Sequence, residues 1–151
     1  MVPSKILVAT DGSKPAQAAE AFAADMANEI GTCEIVLVHV VRPSSGPAAA
    51  RGGVALWPLS PQELDIANQL LEDGVKRIRA ALTVDGASVR PMLVAARSTA
   101  KGIVDFAQEE GTCSFIVMGH RGLGGFAGLV MGSVSTQVVQ AAHCPVVVIK
   151  S

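Results

Sequence analysis

Residues 6–13 have the sequence ILVATDGS. The apolar run 6–8 does not alternate with polar residues, which is typical of a strand buried on both faces. Residues 10–12, TDG, favour a loop, and Ser13 is suited to cap the helix that follows. A buried strand that passes through a short loop into a helix is the repeating unit of parallel α/β folds.

The same unit recurs along the chain. Apolar residues at helical spacing predict a helix from Ser13 to Gly31, about five turns long. The β-branched run 35–41 predicts a second buried strand. Ser60 and Glu63 then form the signature of a capping box, which predicts the start of a second helix.

The remaining elements continue this alternation. They are predicted at 89–95, 99–110, 115–118, 133–142 and 146–149, in the order strand, helix, strand, helix, strand. Five strands alternating with four helices predict a three-layer α/β sandwich with a parallel sheet. The sequence contains no internal repeat, so residues 1–151 are interpreted as one domain.

One stretch breaks the pattern. Residues 42–58 are rich in Pro, Ser, Gly and Ala, which predicts a flexible excursion at the surface. Its only aromatic residue, Trp57, has two interpretations. It closes over a bound base as part of a lid, or it packs on the helix that follows.

Composition excludes several classes of function. The net charge is −1 and aromatic residues make up 3% of the chain, which argues against a nucleic-acid interface or an anionic membrane surface. The cysteines Cys33, Cys113 and Cys144 are far apart, which favours buried apolar thiols and a reducing cytoplasm over zinc or disulfide chemistry. The first residues lack the charged and apolar regions of a signal peptide, so we expect a cytoplasmic protein.

The strongest candidate for a ligand site is a pair of glycine motifs near the carboxyl end of the chain. Residues 119–122, GHRG, are separated by nine residues from 132–135, GSVS, which open a predicted helix. Glycine lets backbone approach phosphate oxygens closely, and amides at a helix start bind anions. The hydroxyls of Ser133 and Ser135 are candidate phosphate donors or magnesium ligands, so this motif suits a triphosphate.

Two other nucleotide motifs are weaker or absent. Residues 122–127, GLGGFA, satisfy a relaxed dinucleotide pattern, but they follow the wrong strand and no acidic residue stands about 20 positions later. The sequence contains no G-x-x-x-x-G-K-[ST] segment. The lysine that supports rapid ATP hydrolysis in P-loop enzymes is therefore missing.

The pattern G-x-x-G, nine residues, then G-[ST] resembles the ATP-binding signature of the universal stress protein family. The resemblance extends to ILVATDGS at 6–13, LVHV at 37–40, 117–122 and 132–148. It implies the adenine nucleotide alpha hydrolase-like fold, with a sheet of strand order 3-2-1-4-5. One departure is Arg97, which stands where the family commonly has glycine before its third helix.

The resemblance also implies a set of ligand contacts. Asp11 and the backbone around Val40 would face adenine or ribose. The ribose and phosphates of ATP, with magnesium, would be lined by the glycine motifs, that is by Gly119, Gly122, Gly132, Ser133, Val134 and Ser135.

Several of these residues have a purely structural alternative. Asp11 could instead cap backbone amides in its turn. His39 and His143 are interpreted as structural, whereas His120 and Arg121 either approach phosphate or serve the loop alone.

The implied strand order places the apolar run Val146, Val147, Val148 and Ile149 at a sheet edge. An unprotected edge invites pairing with a second chain, so we predict a homodimer through this strand. The predicted function is a nucleotide-responsive module of stress adaptation, without a dedicated catalytic apparatus. The alternatives are a slow ATPase or autophosphorylating enzyme, and a relative that acts only through protein contacts.

Overall fold

The computed structural model describes residues 5–44, 49–51, 54–56, 59–111, 113–121 and 131–151. Its elements, in chain order, are β1 Lys5–Ala9, α1 Lys14–Ile30, β2 Cys33–Val41, β3 Ala49–Arg51, β4 Val54–Leu56, α2 Pro61–Ala81, β5 Ala87–Ala95, α3 Thr99–Glu110, β6 Phe115–Gly119, α4 Ser133–Ala141 and β7 Val146–Ile149.

The main sheet has five parallel strands in the order β5-β2-β1-β6-β7. Numbered by their order along the chain within this sheet, the strands run 3-2-1-4-5, which confirms the expected topology. Central strand β1 pairs with β2 on one side and with β6 on the other. The loops that follow β1 and β6 therefore emerge side by side at the carboxyl edge of the sheet.

Each face of the sheet is covered by a helix pair, which explains the continuous apolar runs of the strands. Ile6 and Val8 face a cluster that contains residues of α1 and α2. Leu7 and Ala9 face the opposite cluster, which contains residues of α3 and α4. Ile6, Leu7 and Val8 are fully buried, and each such side chain contributes about 1.5–3 kcal/mol of hydrophobic stabilisation.

The helix starts follow the capping chemistry of the sequence. The Ser13 hydroxyl accepts a hydrogen bond from the Ala16 amide at 3.3 Å. At α2, the Ser60 amide donates to Glu63 Oε2 at 2.7 Å, and the Glu63 amide donates to Ser60 Oγ at 3.1 Å. The predicted capping box is confirmed.

The segment 42–58 contains two short strands that the sequence analysis did not identify. Strands β3 and β4 pair in antiparallel orientation, and the flexibility of this segment stays a prediction. The overlooked signal is the pair Gly52-Gly53 between them, because Gly-Gly is a favoured turn dipeptide in hairpins. Residues 45–48, 52–53 and 57–58 lie outside the described residues, so both interpretations of Trp57 stay predictions.

The amino edge of the sheet carries an ion-pair cluster of Lys5, Glu34, Arg90 and Glu110. Lys5 Nζ lies 2.6 Å from Glu110 Oε2, and Arg90 Nε lies 3.0 Å from Glu34 Oε1. Arg90 also contacts Glu110 at 3.3 Å. The cluster joins β1, β2, β5 and the end of α3 at the edge opposite the carboxyl-end loops.

Within the described ranges, no helix combines the length and the apolar character needed to cross a membrane.

Candidate functional site

Glycine at position 119 brings the end of β6 against the start of α1. A Cβ atom on Gly119 would lie 2.7 Å from both the carbonyl carbon and the Cβ of Pro15. No side chain fits in that gap, so this glycine is required by packing. Its effect is to bring the end of β6 close to Pro15, which stands shortly after the Asp11 turn.

The turn after β1 is held by its own side chains. Asp11 Oδ1 accepts a hydrogen bond from the Ser13 amide at 3.0 Å, and Thr10 Oγ1 accepts one from the Gly12 amide at 3.2 Å. Gly12 has a φ of 79°, a left-handed conformation that glycine adopts without strain. The structural alternative for Asp11, that it caps backbone amides, is thus present, and ligand contact by its carboxylate stays a prediction.

His120, directly after β6, is held by hydrogen bonds at both ring nitrogens. It is 6% exposed, with Nδ1 3.1 Å from the carbonyl of Ile149 and Nε2 3.1 Å from Arg121 Nε. A carbonyl only accepts and a guanidinium only donates, so these bonds select the tautomer with hydrogen on Nδ1. His120 therefore has a structural role here, and Arg121 lies directly beside it.

The carbonyl of His120 anchors the start of α4. It accepts hydrogen bonds from the Gly132 amide at 2.6 Å and from the Ser135 hydroxyl at 2.8 Å. Ser135 is 1% exposed, so its hydroxyl points inward rather than toward a ligand. This arrangement differs from the predicted use of the Gly132 amide and the Ser135 hydroxyl as anion donors.

The remaining candidate anion donors at the start of α4 are the backbone amides of residues 133–135. Gly132 is the N-cap, no side-chain cap bond is formed there among the described residues, and the first intrahelical bond runs from the Thr136 amide to the Gly132 carbonyl. Ser133, at the first helical position, is exposed. Amides in this position carry the positive end of the helix dipole and favour an anion.

The other predicted contacts lie nearby or outside the described residues. Val40 is 8% exposed and its side chain packs in the cluster under α3, so the predicted ligand contact through its backbone stays a prediction. His39 Nδ1 lies 2.8 Å from the carbonyl of Thr10, which supports its structural interpretation. Gly122, together with the rest of 122–130, lies outside the described residues.

Arg97 does not strain its turn. No residue other than glycine has a positive φ among those described. Ser98 caps α3 from an extended conformation, with its hydroxyl accepting from the Lys101 amide at 3.2 Å. The turn before α3 therefore needs no glycine at position 97.

Sequence reasoning missed a cavity of about 640 Å³ between α1 and α2. It opens beside the Asp11 turn and follows one side of α2, where Ile66 is 69% exposed. Its lining residues are Asp11, Gly12, Gln17, Asp65, Ile66, Gln69, Leu70, Asp73 and Arg77. The exposed Ile66 side chain marks this cavity. Its exposure could not be predicted from the sequence, because it depends on which helices pack against α2.

Cys33 is buried, as the sequence predicted for all three cysteines, whereas Cys113 and Cys144 are only partly buried. Burial raises the pKa of the Cys113 thiol to about 11. Within the described ranges, no group of three or more His, Cys, Asp or Glu side chains is arranged to hold a metal ion.

The five-stranded parallel sheet, with helices on both faces, defines a doubly wound α/β protein whose strands β1 and β6 end side by side. The model of the universal stress protein family matches residues 3–150. The universal stress protein YxiE of Bacillus subtilis is 30% identical, over 97% of this chain and 99% of that protein. The chain belongs to the universal stress protein family, and its sheet is that of the adenine nucleotide alpha hydrolase-like fold.

Two solved structures are similar over nearly the whole chain. The universal stress protein of Archaeoglobus fulgidus in complex with dAMP is 28% identical with a TM-score of 0.70, and the match covers 99% of this chain and 100% of that one. A universal stress protein in complex with cAMP has a TM-score of 0.72 and covers 99% of this chain and 98% of its own. At 19% identity, the second likeness bears on the fold alone.

Proposed function

We propose that this protein binds an adenine nucleotide, ATP with magnesium, across the carboxyl ends of β1 and β6. The carrying observation is the meeting of two features there. The Asp11 turn presents a carboxylate, and α4 presents amides that no side chain caps among the described residues. A dAMP complex of a 28% identical relative supports an adenine nucleotide.

The chemistry of the two features divides the ligand between them. A carboxylate accepts hydrogen bonds from ribose hydroxyls or a base amine, whereas helix-start amides stabilise phosphate. The proposed contacts are Asp11 and the Val40 backbone for adenine or ribose, and the glycine motifs for ribose and phosphates, that is Gly119, Gly122, Gly132, Ser133, Val134 and Ser135. For Ser135 the proposed contact is its backbone amide, because its hydroxyl donates to the His120 carbonyl. Gly119 lies against Pro15.

Gly132 offers a matched pair of test variants. Its φ of −77° suits any residue, and a Cβ atom there would lie 3.4 Å from Arg121 Cα, which is ordinary contact. Aspartate and asparagine are both good N-caps, so Gly132→Asp and Gly132→Asn should fold equally well. Only the aspartate places a negative charge against phosphate.

The test is equilibrium dialysis of each variant against magnesium ATP. The Gly132→Asp protein should bind at least about tenfold more weakly than wild type, a difference of about 1.4 kcal/mol. The Gly132→Asn side chain can also cap the amides of α4 but carries no charge, so its affinity should lie between those of Gly132→Asp and wild type. Equal affinities for the two variants would place the phosphates elsewhere.

We propose further that the protein acts as a regulatory module in the cytoplasm, in which nucleotide binding shifts the affinity for a protein partner. A slow ATPase or autophosphorylating enzyme is the second candidate. This second candidate is favoured by Ser133, whose exposed hydroxyl at the start of α4 could accept a phosphoryl group. Phosphate release that rises linearly with protein and disappears in Gly132→Asp would favour the enzyme.

The proposed assembly is a homodimer through β7. Among the described strands, β7 pairs only with β6. The carbonyls of Pro145 and Ile149 accept from Ile116 and His120 on the β6 side. In a parallel strand, alternate residues face opposite neighbours, so the Val148 amide faces the open edge.

Val148→Pro tests the dimer, because it removes the outward amide and leaves the bonds to β6 in place. Val148→Ala is the matched control, since it loses apolar surface and keeps the amide. Light scattering should give a monomer for the proline variant and a dimer for the control. A dimer in both would remove β7 from the interface.

A further inference from the structure

A carboxylate is buried between α1 and α2, beside the turn of the proposed site. Glu20 is 1% exposed. Arg77 donates to it twice, from Nε at 2.7 Å and from Nη2 at 3.0 Å. The Thr10 hydroxyl donates to Glu20 Oε1 at 2.9 Å, so one buried acid joins two helices to the loop after β1.

The approach of α2 to this acid depends on a glycine inside the helix. A Cβ atom on Gly74 would lie 2.6 Å from Leu37 Cδ2 and 3.2 Å from Glu20 Oε1. Glycine in a helix interior is about 1 kcal/mol less favourable than alanine. The close contact is therefore maintained at the expense of helix propensity.

Stability alone is a poor explanation for such a pair. Replacing a buried ion pair with apolar side chains of similar size is often neutral or stabilising, because desolvation offsets the attraction. The pair does something that apolar residues cannot do, which is to orient a hydroxyl. With its hydrogen directed to Glu20, the Thr10 oxygen is left to accept from the Gly12 amide at 3.2 Å.

We infer that Glu20 and Arg77 are positioning residues for nucleotide binding, acting through the Thr10 hydroxyl on the turn that presents Asp11. The inference rests on the proposed function. Arg77 also lines the cavity between α1 and α2, so the pair connects the outer surface of α2 to the turn. Glu20 and Arg77 act on the turn without contacting the ligand.

The first test combines three substitutions. The double variant Glu20→Met, Arg77→Met should keep its urea midpoint near that of wild type and bind magnesium ATP about tenfold more weakly. Thr10→Val should weaken binding similarly. Because both act through one hydroxyl, the triple variant should be no more than about twofold weaker than the double, whereas additive losses would overturn the inference.

Two further variants separate positioning from general loosening. Arg77→Lys keeps a positive charge against Glu20, so its affinity for magnesium ATP should stay within about threefold of wild type. Arg90→Met disrupts the ion-pair cluster at the opposite edge and should lower stability without changing affinity. A loss of affinity in Arg90→Met equal to that of the Met double variant would contradict a local role.

A readout without nucleotide distinguishes failure of this inference from failure of the proposed function. The amide resonances of Gly12 and Ser13 should shift in the Met double variant, and their hydrogen exchange should become faster. If wild type binds no ATP, the proposed function is wrong and these amides still decide the positioning role. Unchanged shifts and exchange would overturn it.

Discussion

The amide of Gly132 donates to the carbonyl of His120 at 2.6 Å. This bond joins the N-cap of α4 to the first residue after β6, so the chain leaves the sheet and returns at almost the same place. It also occupies one of the amides that the glycine motif offers. An anion at this helix end must therefore be met by the amides of residues 133–135.

The two serines at this helix end should respond differently to substitution. Ser135 is buried and donates to the His120 carbonyl, so Ser135→Ala should lower the free energy of unfolding by about 1 kcal/mol and change ATP affinity little. Ser133 is exposed, so Ser133→Ala should leave stability unchanged and weaken binding a few-fold. Urea denaturation and equilibrium dialysis measure the two effects, and the reverse pattern would contradict the inward placement of Ser135.

Gly119 should be intolerant of a side chain even without a ligand. An alanine Cβ would lie 2.7 Å from Pro15, and overpacking of this kind destabilises a protein by about 1–3 kcal/mol. Urea denaturation of Gly119→Ala should show this loss, with Gly132→Asn as the control that keeps wild-type stability. Full stability of Gly119→Ala would mean that β6 and α1 can separate at no cost.

Acid should weaken the cluster at the amino edge of the sheet. The hydrogen bond from Lys5, helped by Arg90, lowers the pKa of Glu110 below its ordinary value of 4.5. A lowered pKa in the folded state gives stability that is present above the ordinary pKa and is lost as pH falls through the folded pKa. The urea midpoint of wild type should therefore fall as pH drops below about 4.5, the ordinary value.

The matched variant for this effect is Glu110→Gln. It should be less stable than wild type at neutral pH and should show a smaller decline in midpoint with acid, because one titrating group is gone. Lys101→Gln serves as the control, since its partner Asp105 forms only an exposed pair on α3. An unchanged acid dependence in Glu110→Gln would assign the decline to other carboxylates.

The thiols should be inert in the folded protein. Burial raises the pKa of Cys113 to about 11 and also raises those of Cys33 and Cys144, so little reactive thiolate exists near pH 8. A disulfide reagent at pH 8 should label the native protein slowly and the urea-unfolded protein quickly, at all three positions. Rapid labelling of Cys113 in the native protein would show that local opening exposes its thiol.

Local signals in the sequence were sufficient for most of the fold. Ser60 and Glu63 are three residues apart, so their capping box could be predicted, and the continuous apolar strand at 6–8 indicated burial on both faces. Strand order came from the family resemblance, because hydrophobic runs alone do not say which strands are neighbours.

The parts that escaped prediction depend on distant partners. Glu20 looks like a solvated helix residue until Arg77, 57 positions later, is placed against it. From its position in the glycine motif, Ser135 is expected to donate to a ligand, but its hydroxyl donates to the His120 carbonyl. In both cases the role of the side chain is set by packing between elements, which no local pattern encodes.

Nucleotide binding is tested most directly by a calorimetric titration of the purified protein, stripped of endogenous nucleotide, with magnesium ATP. We expect saturable heat with a stoichiometry of about one nucleotide per chain, and a rise in melting temperature that follows ligand concentration. No saturable heat and no change in melting temperature at millimolar nucleotide would contradict it, and would favour a member of the family that acts through protein contacts alone.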